Sequence, residues 1–221
     1  DIIDVIKKRR SCRSFEPRPL DESERTALHA FLGRPVATPF GHSPSIRLLE
    51  AFDPLQKGLE RLGTYGVIRN ANNFFAAACK PEPYVLEDFG FALEAVVLEA
   101  TRLGLGTCWL GATFKRGVFE EVLGARDDEV VPATSPVGYP APKRSLLDKS
   151  MRLFAGSDHR KRWHELFFEG DFGKPLDDLA TGKYVAAFEM LRLAPSASNL
   201  QPWHLVLERE PLRIHFFVQR S

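Results

Sequence analysis

Cysteine is scarce in this sequence. The 221 residues hold three, Cys12, Cys79 and Cys108, odd in number and far apart. That excludes a disulfide-stapled scaffold and points to a reducing compartment. No CxxC is present, and the six histidines (29, 42, 159, 164, 204, 215) never form HExxH, so a metal centre has little support. A Gly-x-Ser-x-Gly elbow and a P-loop are also missing. There is no apolar run long enough to span a bilayer and no signal peptide, so the expectation is a cytoplasmic protein without a membrane partner. Charge of one sign is lacking too: a formal net charge of +1 sets up no field to gather nucleic acid. Basic residues cluster locally instead, at Lys7 to Arg10 and at Lys143 and Arg144, which suits one small anion better than a polymer.

What is present is ordinary in bulk. Hydrophobic residues make up 44% and charged residues 27%, as in a soluble globular chain. The length suffices for one domain with a sizeable core or for two small ones. The first residue is not Met and the last strand pattern stops abruptly at Ser221, so the sequence is open to further chain at either end.

Periodicity divides the chain. Residues 1–10 read as a helix with Ile2, Ile3, Val5 and Ile6 on its apolar face. Asp21 to Leu32 reads as a second, with Asp21 and Glu24 at capping-box spacing and Leu28, Phe31 and Leu32 inside. A Pro- and Gly-rich loop leads to a short strand, Ile46 to Glu50. Gly63 to Gly66 is a turn signal, and Phe74 to Ala78 reads as a buried strand whose alanines leave helix open. Leu86 to Leu103 is the longest periodic segment. Leu86, Phe89, Leu93, Val96, Val97 and Ala100 form its stripe and Phe91, Ala92, Ala95 and Leu98 broaden it, which predicts a core helix. In Leu103-Gly-Leu-Gly-Thr-Cys-Trp-Leu-Gly111 the glycines follow a helix and lack a third partner, so a Rossmann loop is excluded. Close glycines otherwise mark a tight turn or a backbone that something must approach. Lys115 to Leu123 reads as a helix ended by Gly124, Val130 to Val137 as a strand, and Gly138 to Arg144 as an extended exit. Residues 145–183 read as a polar connection with little helix of its own and an aromatic patch from Trp163 to Phe168. Lys183 to Leu193 is helical, and His204 to Glu208 with Arg213 to Val218 makes a hairpin around Glu210-Pro211.

Two stretches carry chemistry. In Ala194-Pro-Ser-Ala-Ser-Asn-Leu-Gln-Pro-Trp203, two hydroxyls and two amides crowd between two prolines. Such side chains hydrogen-bond nearby backbone or a ligand, and Pro202 biases Gln201 toward extended geometry, ending the helix. Both a corner stapled by its own polar groups and a ligand contact fit. The second stretch, Arg9-Arg10-Ser11-Cys12-Arg13, packs three arginines and a serine into five residues. Cations suit a helix C-terminus, worth about 0.3–1 kcal/mol. Arginine is also the side chain for bidentate phosphate contact. A solvated helix end and an anion site are the two readings.

Taken together, these stretches resemble the FMN-dependent nitroreductase family, in its single-chain, tandem-half branch of bacterial nitroreductases. APSASNLQPW resembles the family's flavin-contacting segment and RRSCR its N-terminal motif. LGLGTCWLG resembles the strand that passes the flavin N5, Leu86 to Leu103 the long central helix, and Val137-Gly-Tyr-Pro140 with Lys143 and Arg144 the segment whose cations reach the phosphate. There is one departure. In ordinary members the APSxxNxQPW motif follows RRSxR closely and reaches a dimer partner's flavin, whereas here it lies near the C-terminus. Its expected place holds Thr38-Pro-Phe-Gly-His-Ser-Pro-Ser45. With Pro44 set against Pro202, Glu50 falls on Glu208 and Leu49 on Leu207, a decayed first copy and an intact second.

The resemblance implies an α+β fold, a mixed, mainly antiparallel sheet flanked by helices, arranged as an internal pseudo-dimer. Residues 1–150 would be the first half and 151–221 a second, incomplete half intertwined with it, in a monomer or a weak homodimer. It implies FMN as cofactor, NADH or NADPH as reductant, and an electron-poor acceptor such as a nitroaromatic or quinone. The flavin carries the chemistry and no side chain acts as catalyst. Arg9, Arg10, Lys143 and Arg144 would hold the phosphate and Ser11 the ribityl or phosphate end. Arg13 would lie under the N1/O2 edge, where a fixed cation favours the reduced anion. Backbone N–H groups near Leu110 and Gly111 would face N5, with Cys108 beside them as packing residue or nucleophile. Pro195, Ser196, Ala197, Ser198 and Asn199 would contact ring and ribityl chain. The rivals are another flavin chemistry on the same scaffold, a flavin-binding sensor or store, and a fold that no longer holds FMN.

Overall fold

Asn73-Phe-Phe-Ala76 is buried at every position, the pattern of a strand covered on both faces. It forms strand β2 and closes the helical option for the segment. The structure, a computed structural model, describes residues 1–50, 64–142, 159–177 and 179–219. The chain divides into two units, Lys8–Asp148 and Asp1–Lys7 with Lys149–Ser221. Its helices and mostly antiparallel sheets make it an α+β protein.

In the larger unit β1 (Arg47–Glu50), β2 (Asn73–Ala76), β3 (Gly106–Thr107) and β4 (Thr134–Gly138) lie in the order β1-β2-β4-β3, antiparallel throughout. Leu49 faces Phe74, and Phe74 faces Pro136. Helix α2 (Glu22–Leu32) is tied to β1 by Arg25, whose Nε lies 3.0 Å from the buried Glu50 carboxylate. The capping box expected at its start is not made. The Asp21 carboxylate accepts from Arg18 at 2.9 Å instead, leaving the helix N-terminus without a side-chain cap. Helix α3 (Val85–Arg102) buries Val85, Phe89, Ala92, Leu93, Val96, Val97 and Ala100. Each large apolar side chain so buried contributes roughly 1.5–3 kcal/mol. Leu86 and Phe91, expected in that stripe, are 58% and 48% exposed. Leu86 follows Val85 and Phe91 precedes Ala92, so each lies about 100° around the helix from a stripe position. Asp88 occupies the stripe in their place, fully buried. Helix α4 (Arg116–Leu123) ends at Gly124 in the left-handed conformation, φ 67°.

Helix α1 (Ile2–Lys8), which belongs to the smaller unit up to Lys7, carries no buried residue. The unit also holds α5 (Trp163–Leu166), β5 (Phe167–Glu169), a 3-10 turn (Leu179–Tyr184), α6 (Val185–Arg192), β6 (Trp203–Arg209) and β7 (Leu212–Val218). The sheet order is β5-β6-β7, with β5 parallel to β6 and β6 antiparallel to β7. The polar connection expected over 145–183 is therefore corrected where it is described. Its aromatic patch supplies a helical turn and a strand, because Leu166 and Phe167 are fully buried beside Phe188, Leu205 and Leu207. Gly63, residues 145–158 and residue 178 lie outside the described residues.

Candidate functional site

In the larger unit the Arg9-to-Arg13 segment is strapped to β3. Ser11 bridges Thr107 in parallel, and the Cys12 N–H donates to the Thr107 carbonyl at 2.7 Å. On its far side the Arg69 N–H donates to the Arg13 carbonyl at 2.8 Å, and Phe15, almost fully buried, donates to Arg69 at 3.0 Å. Two motifs far apart in sequence thus share one strand edge. Gly106 is what permits the approach: an added Cβ would lie 2.8 Å from the Cys12 Cβ and 2.9 Å from its Sγ.

Beyond β3 the backbone is pinned again. The Cys108 N–H donates to Ser135 Oγ at 3.2 Å, and Leu110 exchanges two hydrogen bonds with Thr134 at 2.9 and 3.0 Å. The Cys108 and Leu110 side chains are buried in an apolar cluster with Phe74, Phe114 and Phe119. Their contribution to a ligand site would be main chain. The Leu110 N–H is already taken by Thr134, which leaves Gly111 as the neighbouring backbone donor of the two expected there. Gly111 is exposed, and a Cβ added there meets nothing within 4 Å. Among the described residues no neighbour therefore requires a glycine there.

The arginines differ in setting. Arg9 is only 6% exposed, and its Nε lies 3.9 Å from Glu94 Oε1 on α3. Glu94 Oε2 accepts the Trp109 indole N–H at 2.6 Å. Burial pulls the Arg9 guanidinium below its ordinary pKa while Glu94 opposes that. Burial likewise pushes the Glu94 carboxyl up against the Trp109 hydrogen bond and the Arg9 charge. Arg10 is exposed and donates to the Arg9 carbonyl at 2.8 Å, while Ser11 and Arg13 are partly exposed. Glu94 and Trp109 escape the sequence reading. The available signal is a carboxylate amid the apolar residues of α3. Lys143 and Arg144 lie outside the described residues.

The second candidate segment belongs to the smaller unit. A 3-10 turn, Ala197–Asn199, forms the corner between α6 and β6. Ser196 Oγ accepts the Gln201 N–H at 2.9 Å. The Gln201 side chain, 2% exposed, accepts the Lys161 N–H at 2.9 Å and donates to the Asn199 carbonyl at 3.1 Å. Asn199 accepts from Arg160 at 2.5 Å and donates to the His159 carbonyl at 2.8 Å. The stapled-corner reading accounts for Ser196, Asn199 and Gln201. Ala197 and Ser198 are exposed, and Pro195 is partly so. Gln201 is not extended before Pro202 as expected. Its φ is 48°, because its buried amide is held by residues 159–161 and by the corner itself.

Among the described residues no group of three His, Cys, Asp or Glu is placed to hold a metal, and no helix is long and apolar enough to cross a membrane.

Comparisons with known proteins agree in direction. Residues 1–220 match the family described as "Putative TM nitroreductase". An Archaeoglobus fulgidus protein named "Putative NADH dehydrogenase/NAD(P)H nitroreductase" is 26% identical over 175 residues, 74% of this chain and 99% of its own. A Thermotoga maritima protein described as "a putative nitroreductase" superposes with a TM-score of 0.56 at 20% identity, over 93% of this chain and 71% of that one. A Bacteroides fragilis nitroreductase with bound FMN gives 0.51 at 18% identity, over 66% and 91%.

Proposed function

This chain belongs to that nitroreductase family, and on that premise we propose that it is an FMN-dependent oxidoreductase. It takes hydride from NADH or NADPH and passes it to an electron-poor acceptor of the nitroaromatic or quinone type. The observation that carries the reading is the Arg9-to-Arg13 segment bound along β3, the strand whose chain runs on through Leu110 to the exposed Gly111. When bound, FMN supplies the hydride chemistry and the protein orients the reactants.

In this proposal Arg9 and Arg10 offer charge-assisted donors to the phosphate, with Lys143 and Arg144, and Ser11 holds the ribityl or phosphate end. Arg13 stabilises negative charge near N1 on reduction. The Gly111 backbone serves the N5 side, on a segment that the Thr134 hydrogen bonds keep from moving. Pro195 to Asn199 are assigned to flavin contact by their resemblance and by the exposure of Ala197 and Ser198.

Anaerobic mixing of the FMN-loaded protein with NADH and with NADPH tests this. Bleaching of the flavin, reversed only on adding a nitroaromatic or quinone, is the expected result. A flavin that binds but never bleaches would make the protein a sensor or store.

A further inference from the structure

A guanidinium buried as Arg9 is, at 6% exposure, needs a nearby counter-charge or it turns out toward water. Glu94 supplies one at 3.9 Å, an ion-pair distance too long for a hydrogen bond. It therefore offsets the charge without occupying the guanidinium's donors. The carboxylate is itself fixed, since its other oxygen holds the Trp109 indole at 2.6 Å. Glu94 thus sits on α3 between the first arginine of the N-terminal motif and the aromatic of the segment after β3.

We propose that Glu94 is a positioning residue: it holds the buried Arg9 guanidinium in place and aimed at the phosphate of a bound flavin, and so sets the preference for FMN over riboflavin. The inference rests on the flavin reading above. Its sign is diagnostic. Removing a negative charge near an anion site would by Coulomb's law alone tighten FMN binding. A loss instead reports lost aim.

The test is a titration of the full chain with FMN and with riboflavin, read by quenching of flavin fluorescence. The wild type should bind FMN more tightly. Glu94→Gln keeps an acceptor for Trp109 but removes the charge. It should weaken FMN about tenfold and leave riboflavin within about twofold. Trp109→Phe, which leaves the carboxylate beside Arg9, should change the ratio less. In an Arg9→Ala background Glu94→Gln should add nothing. If Glu94→Gln does not fold, Glu94→Asp replaces it, with the same expected loss for FMN alone. The proposal is overturned by an unchanged or tighter FMN affinity, by equal losses for both flavins, or by a full effect without Arg9. A wild type that binds neither flavin contradicts the flavin reading itself, before any variant is made.

Discussion

Each unit turns a corner from a helix into the first strand of an antiparallel pair, and the two corners are held differently. In the larger unit the corner after α2 leans on Asp88, which accepts the Phe40 N–H at 2.9 Å and both the His42 N–H and its Nδ1 at 2.8 Å. One buried carboxylate from another helix organises that loop. In the smaller unit the corner after α6 is held by its own Gln201 amide and by residues 159–161. It keeps Ser198, Asn199 and Gln201 in the left-handed region, at φ 49°, 56° and 48°. The larger unit's corner has only a glycine there, Gly41. Non-glycine residues in that region cost roughly 1–2 kcal/mol each, and such strain gathers at binding sites. The lesson is that the relaxed corner spends its backbone donors on a neighbour. The strained one staples itself and presents Ala197 and Ser198 outward.

The contrast can be broken experimentally. The largest effect is expected from Asp88→Ala, which strands two backbone donors and the His42 ring. Thermal melting should show a fall of roughly 5 °C or more. The same bonds set a pH dependence. Burial pushes the Asp88 carboxyl up, but the bonds from Phe40 and His42 outweigh it and leave it below the ordinary value of 3.8. Its contribution is therefore full above 3.8 and is lost as pH falls through the lowered folded value, which acid unfolding of the wild type against Asp88→Ala would reveal. In the smaller unit Glu169, drawn from 4.5 to about 2 by Lys174 and then Arg209, should weaken the β5 end in the same direction, over pH 4.5 to 2.

Next in size is Gln201→Ala, which leaves the Lys161 N–H without its acceptor and should cost about 1–3 kcal/mol by urea unfolding. Gly106→Ala should cost about as much, since its Cβ would collide with Cys12, and it should also weaken flavin binding by displacing the strap. Gly111→Ala should change stability by less than about 0.5 kcal/mol yet weaken FMN binding, because none of the described residues meets the new methyl and a bound flavin would. The smallest effect is expected from Ser198→Gly, which relieves the φ of 49° and should leave stability equal or slightly higher in the same unfolding assay.

Much of this architecture was legible in the sequence. The α3 stripe, Gly124 as a helix stop, the buried β2 and the β6–β7 hairpin all follow from periodicity and turn chemistry. The misses have two kinds of cause, a competing local partner and tertiary contacts that overrode local preference. Asp21 gave its cap to Arg18, Gln201 its extended backbone to residues 159–161, and Trp163 to Phe168 became helix and strand through distant core contacts. Within the candidate site, the arginines and glycines were readable as types. Their meeting at Ser11 and Thr107, and the Glu94 link between Arg9 and Trp109, depend on pairing that no local pattern encodes.

The most direct measurement is an equilibrium titration of the purified full chain with FMN, repeated on Arg13→Ala. The account predicts saturable binding with a yellow complex, weakened at least about tenfold by the substitution. A colourless protein with no affinity for FMN, or equal affinity in the two proteins, would contradict it.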